Sequence, residues 1–188
     1  MKLMTIADIL WFALLVYWII SASIVKQNVQ HENLGRRIFH LSFITTAILL
    51  TFVNYISISW INYQILPQTP TFKLLGFCIC VLGLFFAVWA RTILGKNWSG
   101  RIAIKEGQEL INYGPYAITR HPIYTGLITG FIGMALLRGD VRGYIAAVLV
   151  CIAFPIKIFR EESTLKTAFG DRYLQYSKKV KRLIPFIY

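Results

Sequence analysis

The sequence predicts an all-α integral membrane protein with five transmembrane helices, the last two a short hairpin, followed by a cytoplasmic amphipathic C-terminal helix. Three observations predict it. Of the 188 residues, 56% are hydrophobic and the mean hydropathy is +0.58, too apolar for an ordinary soluble domain. Uncharged runs of nearly span length recur along the chain. The 20 Lys and Arg residues gather at the ends of those runs and in the tail. That placement argues against nucleic acid as a partner despite a formal charge of +12, because the cations line no polar domain.

The first span is placed over Thr5 to Val25, about 31 Å of helix. Asp8 and the weakly basic start mark it as a retained span rather than a signal peptide. The second runs from Ile38 to about Trp60 and the third from Leu74 to Ala90. The fourth covers Pro122 to Leu137, and the fifth Gly143 to Ile156 with a basic extension through Lys157. The last two are short for a bilayer, and "RGDVRG" (138–143) joins them tightly, which predicts a hairpin packed on the other three.

Cation placement sets the orientation. Sixteen Lys and Arg fall in the loops and tail on one side, against Lys2, Lys73, Arg138 and Arg142 on the other. The N-terminus is therefore expected outside, and the loop 91–121 and the C-terminus in the cytoplasm. The uncharged loop "NYQILPQTP" (62–70) agrees with an outer position. Cys78, Cys80 and Cys151 lie within apolar runs, where cysteine behaves as a small hydrophobe. The two thiols of C-x-C point about 200° apart around a helix. His31 and His40 have no Cys or acid at ligand spacing, so no metal is expected.

Two segments carry the chemistry. In "YGPYAITRHPIYTG" (113–126), Gly114-Pro115 marks a turn and Pro122 suits a first helical position. His121 is then near the N-cap, where free N–H groups and the positive dipole end favour a carboxylate or phosphate. Arg120 adds a full charge. Gly126, Gly130 and Gly133 allow a helix or a flat ligand to approach closely. The same features suit plain helix packing with Arg120 and His121 at the lipid headgroups, and spacing leaves both open. In "IFREESTLKTAFGDRYLQYSKK" (158–179), Glu161 and Glu162 stand together in a chain with eight acids. Neighbours on a helix point about 100° apart, so at most one faces a given pocket. Leu165, Phe169, Tyr173 and Tyr176 form the apolar side of a surface helix or helix pair, broken at Gly170. Attraction to anionic lipid explains the lysines of this tail but not the two acids. Asn97, Ser99 and Arg101 are polar groups placed near the presumed pocket, and Trp89 and Trp98 suit interfacial anchors.

"GPYAITRHPIYTG" and "FREESTL…FGDRYLQYSKKV", closing with "IPFI", resemble the isoprenylcysteine carboxyl methyltransferase family and the related phospholipid methyltransferases. The likeness covers roughly residues 72 to 188, and the first two helices match only as generic spans. The expected division is 1–66, two N-terminal membrane helices, and 67–188, a methyltransferase core. The resemblance implies S-adenosylmethionine as cofactor, with His121, Pro122, Tyr124 and Gly126 beside it and Glu161 or Glu162 on its amino or hydroxyl groups. It places Arg120 and Arg160 near a reacting carboxylate. The implied acceptor is lipophilic, a lipidated and in particular a prenylated cysteine. A carboxylate acceptor needs orientation and loss of water but no base. For an amine or thiol a proton must leave, and Glu162 becomes the candidate base. The eukaryotic enzymes have more spans, which bears on the acceptor more than on the reaction. An Arg-His-Pro-x-Tyr-x-Gly stretch before a Tyr-rich tail also resembles membrane sterol reductases, which would imply NADPH. A phosphate-rich cofactor fits poorly beside Glu161 and Glu162. A non-catalytic membrane scaffold of the same fold is a third reading, distinguished by binding no cofactor.

Overall fold

The computed structural model describes residues 2–22, 34–53, 58–98, 109–185 and 187–188. They form α1 (Lys2–Ala22), α2 (Leu34–Phe52), α3 (Pro70–Leu94), the single turn α4 (Pro115–Ile118), α5 (Pro122–Arg138), α6 (Val141–Phe169) and α7 (Asp171–Lys179). Short 3-10 turns lie at Ser59–Asn62 and Gly95–Asn97. Among the described residues there is no strand, only a bridge between Gln64 and Asp140. Three helices, α1, α3 and α6, are long and apolar enough to cross a membrane, and apolar stretches of α2 and α5 are shorter. The protein is an integral membrane protein. Its exposed apolar side chains, such as Ile9, Phe12 and Ile19 on α1 and Leu82 and Phe85 on α3, form the lipid-facing surface.

The helices are held by close backbone approach. A Cβ built on Gly83 of α3 would lie 2.5 Å from the backbone nitrogen of Gly130, and one on Gly126 of α5 would lie 2.5 Å from the carbonyl oxygen of Gly83. The glycine ladder of α5 therefore seats α3, as small residues do where lipid gives no hydrophobic drive for association. Ala7 and Leu14 of α1 pack on Cys80 and Leu84 of α3 and on Met134 of α5. Ala47 of α2 packs with Phe131 of α5 and with Ala146, Val150 and Phe154 of α6.

Helix ends depart from the charge boundaries of the sequence. α3 starts four residues before Leu74, where Thr69 caps it by accepting from the Phe72 N–H and Pro70 opens it. It continues past Arg91, which is buried and donates to the carbonyls of Gly95 and Ser21. α2 stops at Phe52 rather than near Trp60, which lies in the 3-10 turn. Arg138 donates to the Thr51 carbonyl and Arg142 to the Val53 carbonyl, satisfying groups that a helix end leaves open. "RGDVRG" is the tight turn expected. Gly139 takes φ 69°, and Asp140 caps α6 through the Gly143 N–H while pairing with both arginines.

The short hairpin is corrected on one arm. α5 has 17 residues, but α6 has 29 and runs unbroken through Pro155, Lys157 and the Glu161-Glu162 pair to Phe169. The surface helix expected after Lys157 is thus the last third of α6, with α7 beyond a break at Gly170 (φ 51°). Glu161 and Glu162 bond to side chains of other elements, so the helix continues through them.

Candidate active site

The site is built where the start of α5, the end of α6, α7 and the final residues meet. Segment 181–183 lies against 119–125. Its Lys181 and Arg182 carbonyls accept from the backbone N–H groups of Arg120 and His121 at 2.7 and 3.0 Å. The Thr119 hydroxyl also donates to the Arg182 carbonyl, and Thr125 Oγ1 donates to that of Leu183 at 2.8 Å. Two N–H groups near the helix start that could have met an anion are therefore engaged by the tail.

Beneath this seam Glu162 is 3% exposed. Its Oε1 accepts from Arg120 Nε at 2.8 Å, pairs with Arg120 Nη2 at 2.6 Å, and lies 3.3 Å from His121 Nε2. Its Oε2 accepts from Arg182 Nε at 2.9 Å. The apolar stretch of α6 closes before Arg160, so this carboxyl stands outside the span. Burial alone would raise its pKa, but donation by His121, Arg120 and Arg182 outweighs that and holds it at about 2. Arg120 Nη1 also donates to the carbonyls of Ser177, at 3.0 Å, and Val180, closing the end of α7. The guanidinium of Arg182 lies 4.6 Å above the Phe159 ring.

About 100° of rotation around α6 separates the two acids. Glu162 faces the arginines, whereas Glu161 lines a pocket with Glu109, Asn97, Trp98, Tyr116, His121, Pro122 and Tyr124. Its Oε2 accepts from the Tyr124 hydroxyl at 2.8 Å. Tyr124 stacks on His121 and on Phe154 at centroid distances of 5.8 and 4.9 Å. Lys157, one helical turn before Glu161, lies over the same ring at 5.7 Å. The pocket walls continue with Ile123, Leu165 and Phe169. Tyr176 donates to the Tyr116 carbonyl at 2.6 Å, tying α7 to α4. Tyr173 is 1% exposed, and its hydroxyl lacks a hydrogen-bond partner among the described residues. Burial beside Glu162 pushes that hydroxyl's pKa up, so it remains a donor.

Of the sequence candidates, the fold gathers Arg120, His121, Pro122, Tyr124, Glu161 and Glu162. Gly126 sits at the α3–α5 contact. Arg160 lines neither the pocket nor the carboxylate cluster. Ser99 and Arg101 lie outside the described residues. Sequence reasoning missed the roles of Arg182, Thr119, Thr125, Tyr116 and Glu109. Arg182 stands 20 residues beyond Glu162 across a turn, and no local period links them. Among the described residues no group of three or more His, Cys, Asp or Glu side chains could hold a metal ion.

The profile of the phospholipid methyltransferase family matches residues 71–172, more than half of the chain. The chain belongs to the phospholipid methyltransferase family. Within that relationship it is 29% identical over 139 residues to the protein-S-isoprenylcysteine O-methyltransferase of Tribolium castaneum, covering 69% of this chain and 50% of that one. The B enzyme of that name from Arabidopsis thaliana is 28% identical over 144 residues, 75% and 73% of the two chains. The Schizosaccharomyces pombe protein is 35% identical over 116 residues, 60% and 48%. This phospholipid methyltransferase family member thus spans about half the length of the Tribolium and Schizosaccharomyces relatives. Its fold matches the eukaryotic intramembrane Ras methyltransferase, isoprenylcysteine carboxyl methyltransferase, with TM-score 0.56 and 25% identity. The match covers 85% of this chain and 55% of that one.

Proposed function

We propose that this family member is a membrane methyltransferase that uses S-adenosylmethionine and methylates the carboxylate of a lipophilic acceptor, a prenylated cysteine leading. The carrying observation is the pocket between α5, α6 and α7, which joins acidic and apolar walls beside a buried, arginine-locked carboxylate. The residues present fit the cofactor. Asn97 Oδ1 and the Tyr173 hydroxyl are buried polar atoms without partners among the described residues, and both side chains line this pocket. One is an acceptor and the other a donor, as a ligand with amino, hydroxyl and carboxylate groups requires. Bound there, S-adenosylmethionine would supply a methyl group activated on a sulfonium.

The chain's own work is binding, orientation and exclusion of water. Glu161 and Tyr124 hold hydroxyl or amino groups, and Ile123, Leu165 and Phe169 keep water from the reacting end. Glu162, with a pKa of about 2 and both oxygens occupied by donors, is a weak base. That favours a carboxylate acceptor over an amine or thiol, which would need proton removal. Arg120 acts as a positioning residue that locks the tail to α6. We place the five spans at α1, α2, α3, α5 and the apolar part of α6, the N-terminus outside and the site cytoplasmic, with the chemistry in 67–188. The sterol-reductase reading is not favoured, since the homologues and the structural match are methyltransferases.

Calorimetric titration of the detergent-purified protein with S-adenosylhomocysteine, with NADPH in parallel, tests the cofactor. Saturable binding of the first alone is expected, and binding of NADPH alone would overturn the reading. Transfer of labelled methyl to an S-prenylated cysteine with a free carboxylate, and none to its amide, tests the acceptor.

A further inference from the structure

The turn between α5 and α6 lies at the opposite end of the bundle from His121, about 25 Å along α5. That end carries few cations, and the structure brings them together. Lys2 of α1, Lys73 of α3, Arg138 of α5 and Arg142 of α6 all line one open cavity of about 680 Å³, with Asp140 as its acid. Arg120 and Arg182 converge at the other end of the bundle on the Glu162 carboxylate; here four separate helices deliver one cation each to one place. Arg138 and Arg142 are 8% exposed and fixed on Asp140 and the α2 carbonyls. Among the described residues Lys2 and Lys73 have no ion-pair partner. Four cations against one carboxylate leave a surplus of three positive charges, and Asp8 of α1, which senses Arg138, offsets at most one more.

Neutral donors point the same way. Gln64 and Gln68 line the cavity, and Gln68 Nε2 is buried without a hydrogen-bond partner among the described residues. Leu3, Met4 and Leu137 supply an apolar edge. The cavity opens where the apolar helices end, so its rim is at headgroup depth.

We propose that this cavity binds a phosphate group, that of an anionic phospholipid headgroup in the leaflet opposite the methyl-transfer site. The two arginines form a rigid cationic floor, Lys2 and Lys73 close on the phosphate from α1 and α3, and Gln68 donates to it. The apolar edge admits the glycerol and upper acyl chain. The lipid clamps the first and third helices to the α5–α6 turn. This site is independent of the proposed methyl transfer.

Native mass spectrometry of the full-length protein tests the assignment. Detergent micelles would be doped with phosphatidylglycerol or phosphatidylcholine, and inorganic phosphate added in a third arm. One phosphatidylglycerol retained preferentially over phosphatidylcholine is expected. The Lys2→Gln/Lys73→Gln double variant should weaken that retention by about fivefold per lysine. A charge-matched control, Lys166→Gln/Lys178→Gln, should leave it unchanged. Displacement of the lipid by millimolar inorganic phosphate would assign the site to a free anion rather than a headgroup. Equal retention of both lipids, or an equal loss in both double variants, would overturn the proposal. Monodispersity and helical circular dichroism of the variants separate a lost site from a lost fold.

Discussion

At Glu162 burial and charge pairing pull in opposite directions, and pairing wins because three side chains donate to one carboxylate. Removing the charge would strand Arg120 and Arg182 against it. Glu162→Gln is therefore expected to cost about 3–5 kcal/mol, the range for breaking a buried pair, read as a lowered melting temperature in detergent. The pH dependence follows from the depressed pKa. An ordinary carboxyl titrates at 4.5 and this one at about 2, so its stabilisation is complete above 4.5 and is lost as pH falls toward 2. Melting temperature should decline below about pH 4.5 in the wild type more steeply than in Glu162→Gln; equal slopes would remove Glu162 as the titrating group. Glu161 gives the contrast. It is partly exposed and held by one hydroxyl, so Tyr124→Phe should change stability by about 1 kcal/mol or less. The same substitution should weaken S-adenosylhomocysteine binding several-fold in calorimetry, and unchanged affinity would take Tyr124 out of the pocket's work.

At the scale of elements, the glycines of α3 and α5 decide whether the core assembles. A side chain at Gly83 meets the Gly130 backbone, not a flexible side-chain end, so relief requires the helices to part. Gly83→Leu should destabilise by more than about 2 kcal/mol, and Gly126→Ala should behave similarly in kind. For Gly126→Ala the melting temperature should fall while S-adenosylhomocysteine affinity, measured well below melting, stays near wild type. The reverse outcome would return Gly126 to the cofactor. The five apolar segments were legible in sequence because composition alone marks helix that faces lipid. Their ends were legible where Pro122 and the RGDVRG turn mark them, and not where a buried charge stands inside a helix, as Arg91 does in α3 and Glu162 in α6. Arg91, Arg138, Arg142 and Glu162 are each buried and bonded across elements, and those long-range bonds have no signature in local spacing. The site divides the same way. Arg120, His121, Tyr124 and the two acids stood out by residue type and resemblance, whereas Arg182 reaches Glu162 across 20 residues and the threonines act through contacts 58 and 63 residues apart.

For the whole molecule, the final residues complete a site whose other walls belong to membrane helices. The carbonyls of Lys181, Arg182 and Leu183 satisfy donors at 119–125, and Arg182 closes the second oxygen of Glu162. α1 and α3 pack on each other and on α5, and α2 packs on the apolar part of α6, without this segment. Ending the chain after Val180 should therefore leave membrane extraction behaviour and most helical signal intact while abolishing S-adenosylhomocysteine binding. Arg182→Ala keeps the backbone seam and removes only the second guanidinium, so it should retain binding at reduced affinity. The order of the two effects carries the test. If the truncated protein binds with wild-type affinity, the seam is packing alone and the pocket stands on α5 and α6. If Arg182→Ala is as damaging as truncation, the charge on Glu162, rather than the backbone seam, organises the pocket.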